Sequence, residues 1–264
     1  MTPITLITGA SAGIGAELAR IFAAHGHELV LVARREDRLN ALADEIAAKG
    51  RPRPVVLLAD LERREAVTSI AAELAARGLE PANLVNNAGF GLSGGAASLS
   101  LSEQLGMIDL NVRALTELSL TFVDSLARHR GGILNLASVA AFLPGPGMAV
   151  YYASKAFVLS FSEGLHSELK TRGVRVTVLC PGPVPTEFAA RAGVGSGGLA
   201  PGILTQSAES VAQAGYDGLM RGKRVVVPGL ANKLVTVLIR LVPRRLLLKA
   251  VDSRQNRRRS APRT

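Results

Sequence analysis

The sequence is poor in the residues that build covalent or metal-centred sites. It holds one cysteine, Cys180, so no internal disulfide can form. Neither a Cys-x-x-Cys pair nor a His/Cys cluster with ligand spacing is there for zinc, and no metal site is expected. Long apolar runs are missing as well. The longest uncharged stretch, residues 131–154, is interrupted by Asn135, Ser138, Pro144, Gly145, Pro146 and Gly147, which a bilayer span of ~20 apolar residues would not carry. The first residues, MTPITLITGASAGIG, show no basic leader and run directly into a strand pattern. Together these absences predict a cytoplasmic protein.

Acidic residues are scarce in one region only. Over 264 residues, 31 Lys/Arg against 21 Asp/Glu give a net charge of +10. Residues 1–220 hold 18 basic and 20 acidic side chains, a balance of −2, whereas residues 221–264 hold 13 and 1, a balance of +12. The body is near neutral, and the final segment carries the whole excess. With 48% hydrophobic residues the chain is excluded from the disordered class, and its length supports a large core in one domain.

Through the first 180 residues, apolar runs alternate with amphipathic segments, the pattern of a parallel sheet with crossover helices. Strands are expected at 4–8, 28–33, 54–59, 83–86, 132–137, 175–179 and 223–227, and helices at roughly 13–25, 36–49, 62–77, 101–129, 152–172 and 207–221. The fold class is therefore α/β, a doubly wound sheet of seven mainly parallel strands flanked by helices. Ligands of such sheets bind outside the carboxyl ends of the strands, so the chemistry is sought there. Residues 189–206, rich in glycine and small side chains, suit a loop over that site.

The first strand ends in TGASAGIG at 8–15 and opens into a helix. Gly9, Gly13 and Gly15 let the backbone turn sharply and approach a pyrophosphate, and the free N–H groups of the helix start favour its charge. After the second strand come Arg34, Arg35 and Arg38. Ala33 stands where a carboxylate for a free ribose 2′-hydroxyl would be expected, and guanidinium groups suit a 2′-phosphate. NADP(H) is expected over NAD; the competing reading is that these arginines are a solvated helix start. Ser138 closes the fifth strand, and YYASK follows at 151–155. Residues four apart on a helix share a face, so Tyr151 and Lys155 can meet in one site, although spacing alone also permits Tyr152. A cation beside a phenol favours its ionised form, which suits a group that exchanges a proton with an alkoxide.

These motifs taken in order, TGASAGIG, Asp60, NNAG at 86–89, Asn111, Ser138, YYASK and PGPVPT at 181–186, resemble those of the short-chain dehydrogenases/reductases from about residue 4 to residue 229. ARREDRL after the second strand resembles the NADP-preferring carbonyl-reductase type. The resemblance implies a Rossmann-type catalytic domain over 1–229, and the residues beyond it, 230–264, read by their own pattern as a basic amphipathic C-terminal helical extension. It implies reduction of a ketone or aldehyde by hydride transfer, with Tyr151 rather than Tyr152 as general acid/base. Lys155 would hold the nicotinamide ribose and lower the Tyr151 pKa, Ser138 would hold the substrate carbonyl, and Asn111 would link a water to Lys155 as a proton relay. For the cofactor it implies Gly9, Ser11, Gly13, Ile14 and Gly15 at the pyrophosphate, and Asp60 with Leu61 at the adenine. Asn87, Ala88 and Gly89 would pass the adenosine ribose, with a purely structural role for NNAG left open. Pro181, Gly182, Val184 and Thr186 would face the nicotinamide. Ala12 departs from the serine of many relatives and loses a side-chain hydrogen bond in the turn. Cys180 reads as a small core residue. The family's habit of pairing long helices implies a homo-oligomer.

Phe188, Leu199, Ile203 and Leu204 give the substrate loop an apolar character, which favours an apolar or lipid-like carbonyl such as a 3-oxoacyl thioester or a steroid-type ketone. A non-catalytic NADP-binding protein held by its tail is the reading of a different class, and the set Ser138, Tyr151 and Lys155 weighs against it. In the tail, Leu234, Leu238, Leu241 and Val242 fall on one helical stripe, and Lys233, Arg240 and Arg244 on another. Pro243 predicts a kink between two short helices, the second carrying Leu246, Leu247, Ala250 and Val251. Such a segment, ending in Arg257, Arg258 and Arg259, suits an anionic membrane surface over 233–259, or packing against the body or a partner subunit. It has no aromatic residue for stacking bases, so no nucleic-acid partner is expected.

Overall fold

The protein is described by a computed structural model over residues 1–193, 202–249 and 251. Seven strands, β1 (Thr2–Thr8), β2 (Leu29–Ala33), β3 (Val55–Leu58), β4 (Leu79–Asn86), β5 (Gly132–Leu136), β6 (Arg175–Leu179) and β7 (Val225–Val226), form one sheet in the order β3-β2-β1-β4-β5-β6-β7. Every neighbouring pair is parallel. The doubly wound architecture expected from the sequence is the one observed.

Alternation along the strands sends successive side chains to opposite faces. Leu6, Val30, Leu84, Ile133 and Val176 face one core. Their neighbours Ile7, Leu31, Val85, Leu134 and Leu179 face the other. The second face is covered by α1 (Gly13–Ala24), α2 (Glu36–Ala48) and α9 (Ala208–Met220), which bury Leu18, Leu39 and Val211. The first face is covered by α3 (Ala66–Ala76), α4 (Leu101–Ile108), α5 (Leu115–Thr121), α6 (Val123–Arg128) and α7 (Ala149–Leu169). Two short helices, α8 (Glu187–Arg191) and α10 (Leu230–Leu238), follow, and beyond Pro243 residues 244–249 are helical again. No described helix is long and apolar enough to cross a membrane.

Two elements differ from expectation. The segment 101–129 is not one helix: α4 passes into a π-helical turn, Asp109–Ala114, before α5, and the helix restarts after Phe122 as α6. The fourth strand begins at Leu79 rather than 83. Its first half, with Glu80 and Pro81, pairs with β1 alone, because β5 joins only from Asn83 onward. Proline is tolerated where one edge of a strand is free. The register slips there, Ile4 facing Pro81 and Thr5 facing Asn83, so Ala82 is an extra residue in a bulge.

Candidate active site

The strand order reverses between β2 and β4, on either side of β1, which is where an open α/β sheet leaves a crevice. A cavity of about 590 Å3 lies there, running from Arg34 and Arg35 at one end to Tyr151 and Tyr152 at the other.

At the nucleotide end, Gly9 and Gly13 adopt φ of +65° and +56° to turn the chain from β1 into α1. The N-cap Ala12 makes no side-chain cap, as its departure from serine implied. Gly13 and Ile14 line the cavity at this uncapped helix start, an arrangement suited to an anion. Gly15 is required by packing. A Cβ there would lie 2.3 Å from both the Asn87 amide and the Gly9 carbonyl, so its absence lets α1 pack on the turn. Asn87 in turn donates from Nδ2 to Thr8 O and Gly9 O, both at 3.0 Å, and bolts the turn to β4. Asn86 is buried and donates to Ser119 Oγ and Asn135 Oδ1. NNAG is therefore divided: Asn86 braces the strands, whereas Asn87, Ala88 and Gly89 also line the cavity.

Arg35 donates to Ser11 Oγ at 3.0 Å and to Glu187 Oε2 at 2.7 Å. Arg34 pairs with Glu62 at 3.1 Å and lies 3.7 Å from Asp60. Arg38 reaches Glu187 at 3.5 Å, and unlike Arg34 and Arg35 it is not among the cavity-lining residues. Asp60 and Leu61 line the same end. The donor set fits a phosphorylated adenosine ribose: two guanidinium groups beside an uncapped helix start, held by carboxylates that an incoming phosphate would displace. Arg191, which the sequence gave no reason to single out, joins them. Its guanidinium lies 4.1 Å over the Phe90 ring and 3.5 Å from Glu62, and burial followed by the like charge of Arg34 lowers its pKa.

At the other end, Ser138 leaves β5, while Tyr151 and Lys155 stand on the first two turns of α7. All three line the cavity. Burial pushes the Tyr151 phenol up to about 12, and the neighbouring Ser138 hydroxyl offsets part of that rise. Burial pulls the Lys155 ammonium down to about 8. Lys155 Nζ donates to Leu136 O at 2.8 Å and lies 6.0 Å from the Tyr151 ring centroid. In this arrangement burial of the phenol outweighs any lowering by the lysine. Asn111 sits in the π-helical turn, fully buried. Its amide accepts from Phe90 N, donates to Phe90 O and donates to Ser154 Oγ. The side chain thereby pins the loop after β4 to α7. A Cβ on Gly89 would lie 2.9 Å from Asn111 Oδ1 and 3.3 Å from Lys155 Nζ, which brings the three to one point.

Pro181, Gly182, Val184 and Thr186 line the cavity after β6. The Thr186 hydroxyl caps α8 by accepting from Phe188 N. Phe188 lies 5.3 Å from Tyr151, and with Leu143, Met148 and Tyr152 it forms the apolar part of the wall. Ile203 does not join it, being 80% exposed, and Leu204 is not among the lining residues; both lie on the short turn Gly202–Leu204. Leu199 lies outside the described residues, as do Arg257, Arg258 and Arg259. Cys180 is fully buried, and burial pushes its thiol up to about 12, the state of an inert core residue.

A sequence profile described as short chain dehydrogenase matches residues 3–195. The chain belongs to the short-chain dehydrogenase family. Sulfoacetaldehyde reductase 2 of Chromohalobacter salexigens is 41% identical over 191 residues, 71% of this chain and 75% of that protein. Among solved structures, a short-chain dehydrogenase from Sphingobium yanoikuyae in complex with NADPH is similar at 34% identity and TM-score 0.79, over 100% of this chain and 97% of that one. The bulky-bulky ketone specific alcohol dehydrogenase of Comamonas testosteroni follows at 29% identity and TM-score 0.75, over 100% and 96%. The chain is thus an oxidoreductase by family, and the strand-end residues described above lie where its fold gathers them.

Proposed function

We propose that this protein is an NADP(H)-dependent reductase of an apolar ketone or aldehyde, with Tyr151 as the proton donor. The observation that carries the proposal is the convergence of Ser138, Tyr151 and Lys155 in the same cavity that Arg34 and Arg35 line at its far end. The NADPH complex of the Sphingobium relative supports the choice of cofactor.

Gly9, Gly13 and Ile14 would hold the pyrophosphate, with Ser11 positioning Arg35. Arg34 and Arg35 would take the 2′-phosphate, with Arg38 acting only through Glu187. Asp60 and Leu61 would flank the adenine, and Ala88 and Gly89 the ribose. Pro181, Gly182 and Val184 would face the nicotinamide from the β6 end, and Thr186 would hold α8 against it. When bound, the cofactor supplies the hydride. Ser138 holds the substrate oxygen. Tyr151, protonated at neutral pH as any phenol is and held further in that form by burial, gives that oxygen its proton as negative charge develops. Asn111 is a positioning residue for Phe90 and Ser154, hence for α7. A homo-oligomer would pair through the exposed Leu101, Leu105 and Ile108 of α4 and Phe157 of α7; a monomer mass by light scattering would exclude it.

Leu143, Met148, Tyr152 and Phe188 surround the reacting end, and this wall supports an apolar substrate. NADPH oxidation measured against aldehydes, bulky ketones, 3-oxoacyl thioesters, steroid ketones and sulfoacetaldehyde tests this. The highest kcat/KM is expected among the apolar ketones and aldehydes. A clear preference for sulfoacetaldehyde would overturn the apolar reading, and no oxidation of NADPH with any of them would overturn the reductase.

A further inference from the structure

The helix α10 is built inside out. Its two buried residues are polar: Asn232 and Thr236, 3% and 4% exposed and one turn apart. Its apolar residues point outward, Leu230 at 87%, Leu234 at 59%, Val237 at 52% and Leu238 at 50%, and the following turn continues the face with Leu241 at 78%. The inward face is a fitted contact. Asn232 Nδ2 donates to Leu204 O at 3.1 Å and to Pro228 O at 3.2 Å. Its amide also fills the space over Gly182, where a Cβ would come within 2.5 Å of it. The helix is therefore held in this orientation by Leu204, Pro228 and Gly182, the last of which lines the cavity, and its aliphatic face is left to water. A continuous exposed face of this kind marks an interaction surface.

Charge decides what covers it. Lys233, Arg244, Arg245 and Lys249 are exposed along the same segment. Residues 221–264 carry 13 Lys/Arg against a single acidic residue. A second copy would set this charge against itself, whereas an anionic bilayer complements it, the basic groups meeting phosphates and the leucines entering the acyl boundary. We propose that α10 and the segment after it seat on an anionic phospholipid surface. The helix packs beside the turns Val139–Phe142 and Gly202–Leu204, and Val139 and Ala140 line the cavity. Seating α10 sets this wall of the cavity beside the bilayer, and the substrate that fits is a carbonyl compound dissolved in that bilayer. The substrate clause rests on the reductase reading above; the docking clause does not.

Vesicle flotation of the full chain tests the docking, comparing phosphatidylcholine alone with phosphatidylcholine plus phosphatidylserine. The expected result is flotation with the anionic vesicles only, weakened by salt. Partitioning should fall by about tenfold or more in the double variant Leu234→Ser, Leu238→Ser. Arg244→Glu with Arg245→Glu should abolish the preference for phosphatidylserine. All four side chains are exposed, so NADPH binding, read by its own fluorescence, should be unchanged. Equal behaviour on both vesicle types, or flotation unaltered in both variants, overturns the proposal. So does an unbound chain whose oligomeric mass drops in the leucine variant, which would assign the face to a second copy. Flotation without any carbonyl turnover would sink the reductase reading and leave the docking standing.

Discussion

At the scale of single residues, the site works through two groups whose burial pulls them in opposite directions, the Tyr151 phenol up to about 12 and the Lys155 ammonium down to about 8. Both shifts favour the neutral form, which is what a closed pocket does to any ionisable group. For the lysine this has a measurable sign. Below pH 8 it is charged in both folded and unfolded chains, and the cost of burying the charge is fully present. Between pH 8 and 10.5 the folded state releases the proton first, so stability rises with pH across that window. Relative to Lys155→Met, the parent chain should gain on the order of 3 kcal/mol between pH 7 and pH 10.5 in denaturant titrations without cofactor. A flat difference would mean that the ammonium is not held in a desolvated site. Arg35 makes a second prediction. Arg35→Ala should weaken NADPH binding about tenfold or more in a fluorescence titration, the loss of one charge-assisted hydrogen bond, and leave NADH binding unchanged. Equal weakening of both would place Arg35 elsewhere than at the 2′-phosphate. Helical spacing brought a tyrosine and Lys155 to a shared face in the sequence, and the family pattern chose Tyr151 over Tyr152. The sequence could not show that the Asn111 side chain bonds Phe90 and Ser154, since those partners are 21 and 43 residues away.

At the scale of elements, periodicity found the seven strands because buried parallel strands read as plain apolar runs. It shortened β4 because Glu80 and Pro81 break that run, and only the one-sided pairing of this half makes them tolerable. It also fused α4 to α6 into one helix, because a π-helical turn and a restart at Phe122 leave the apolar pattern almost continuous. The junction of β4 and β5 gives the test at this scale. A Cβ on Gly131 would lie only 1.6 Å from Ala82 O, in the bulge itself. Backbone cannot step aside as a side-chain tip can, so Gly131→Ala should cost about 3 kcal/mol or more and lower Tm by roughly 6 °C or more. Gly164→Ala, whose nearest neighbour is a Glu168 carboxylate oxygen at 4.0 Å, serves as the control. Equal melting temperatures for the two variants would contradict the close approach of the strands.

At the scale of the whole molecule, a net charge of +10 belongs to no single function. The near-neutral body needs only Arg34 and Arg35 for a phosphate, and even these are held by Asp60, Glu62 and Glu187. Most of the excess, ten Lys/Arg against one Asp over residues 230–264, lies in the segment that begins at α10, whose outward leucines and inward asparagine no reading of periodicity could orient, because the sequence shows a stripe without saying which side the body takes. The chain thus joins a family oxidoreductase body to an appendage that shares the rim of its cavity. The reductase reading depends on Tyr151 being the proton donor in that cavity. The direct measurement is NADPH oxidation by Tyr151→Phe and Tyr152→Phe beside the parent chain, with NADPH binding followed in each. The account predicts that Tyr151→Phe binds NADPH normally and loses turnover by about a hundredfold or more, while Tyr152→Phe keeps it. Turnover retained in Tyr151→Phe and lost in Tyr152→Phe would contradict it.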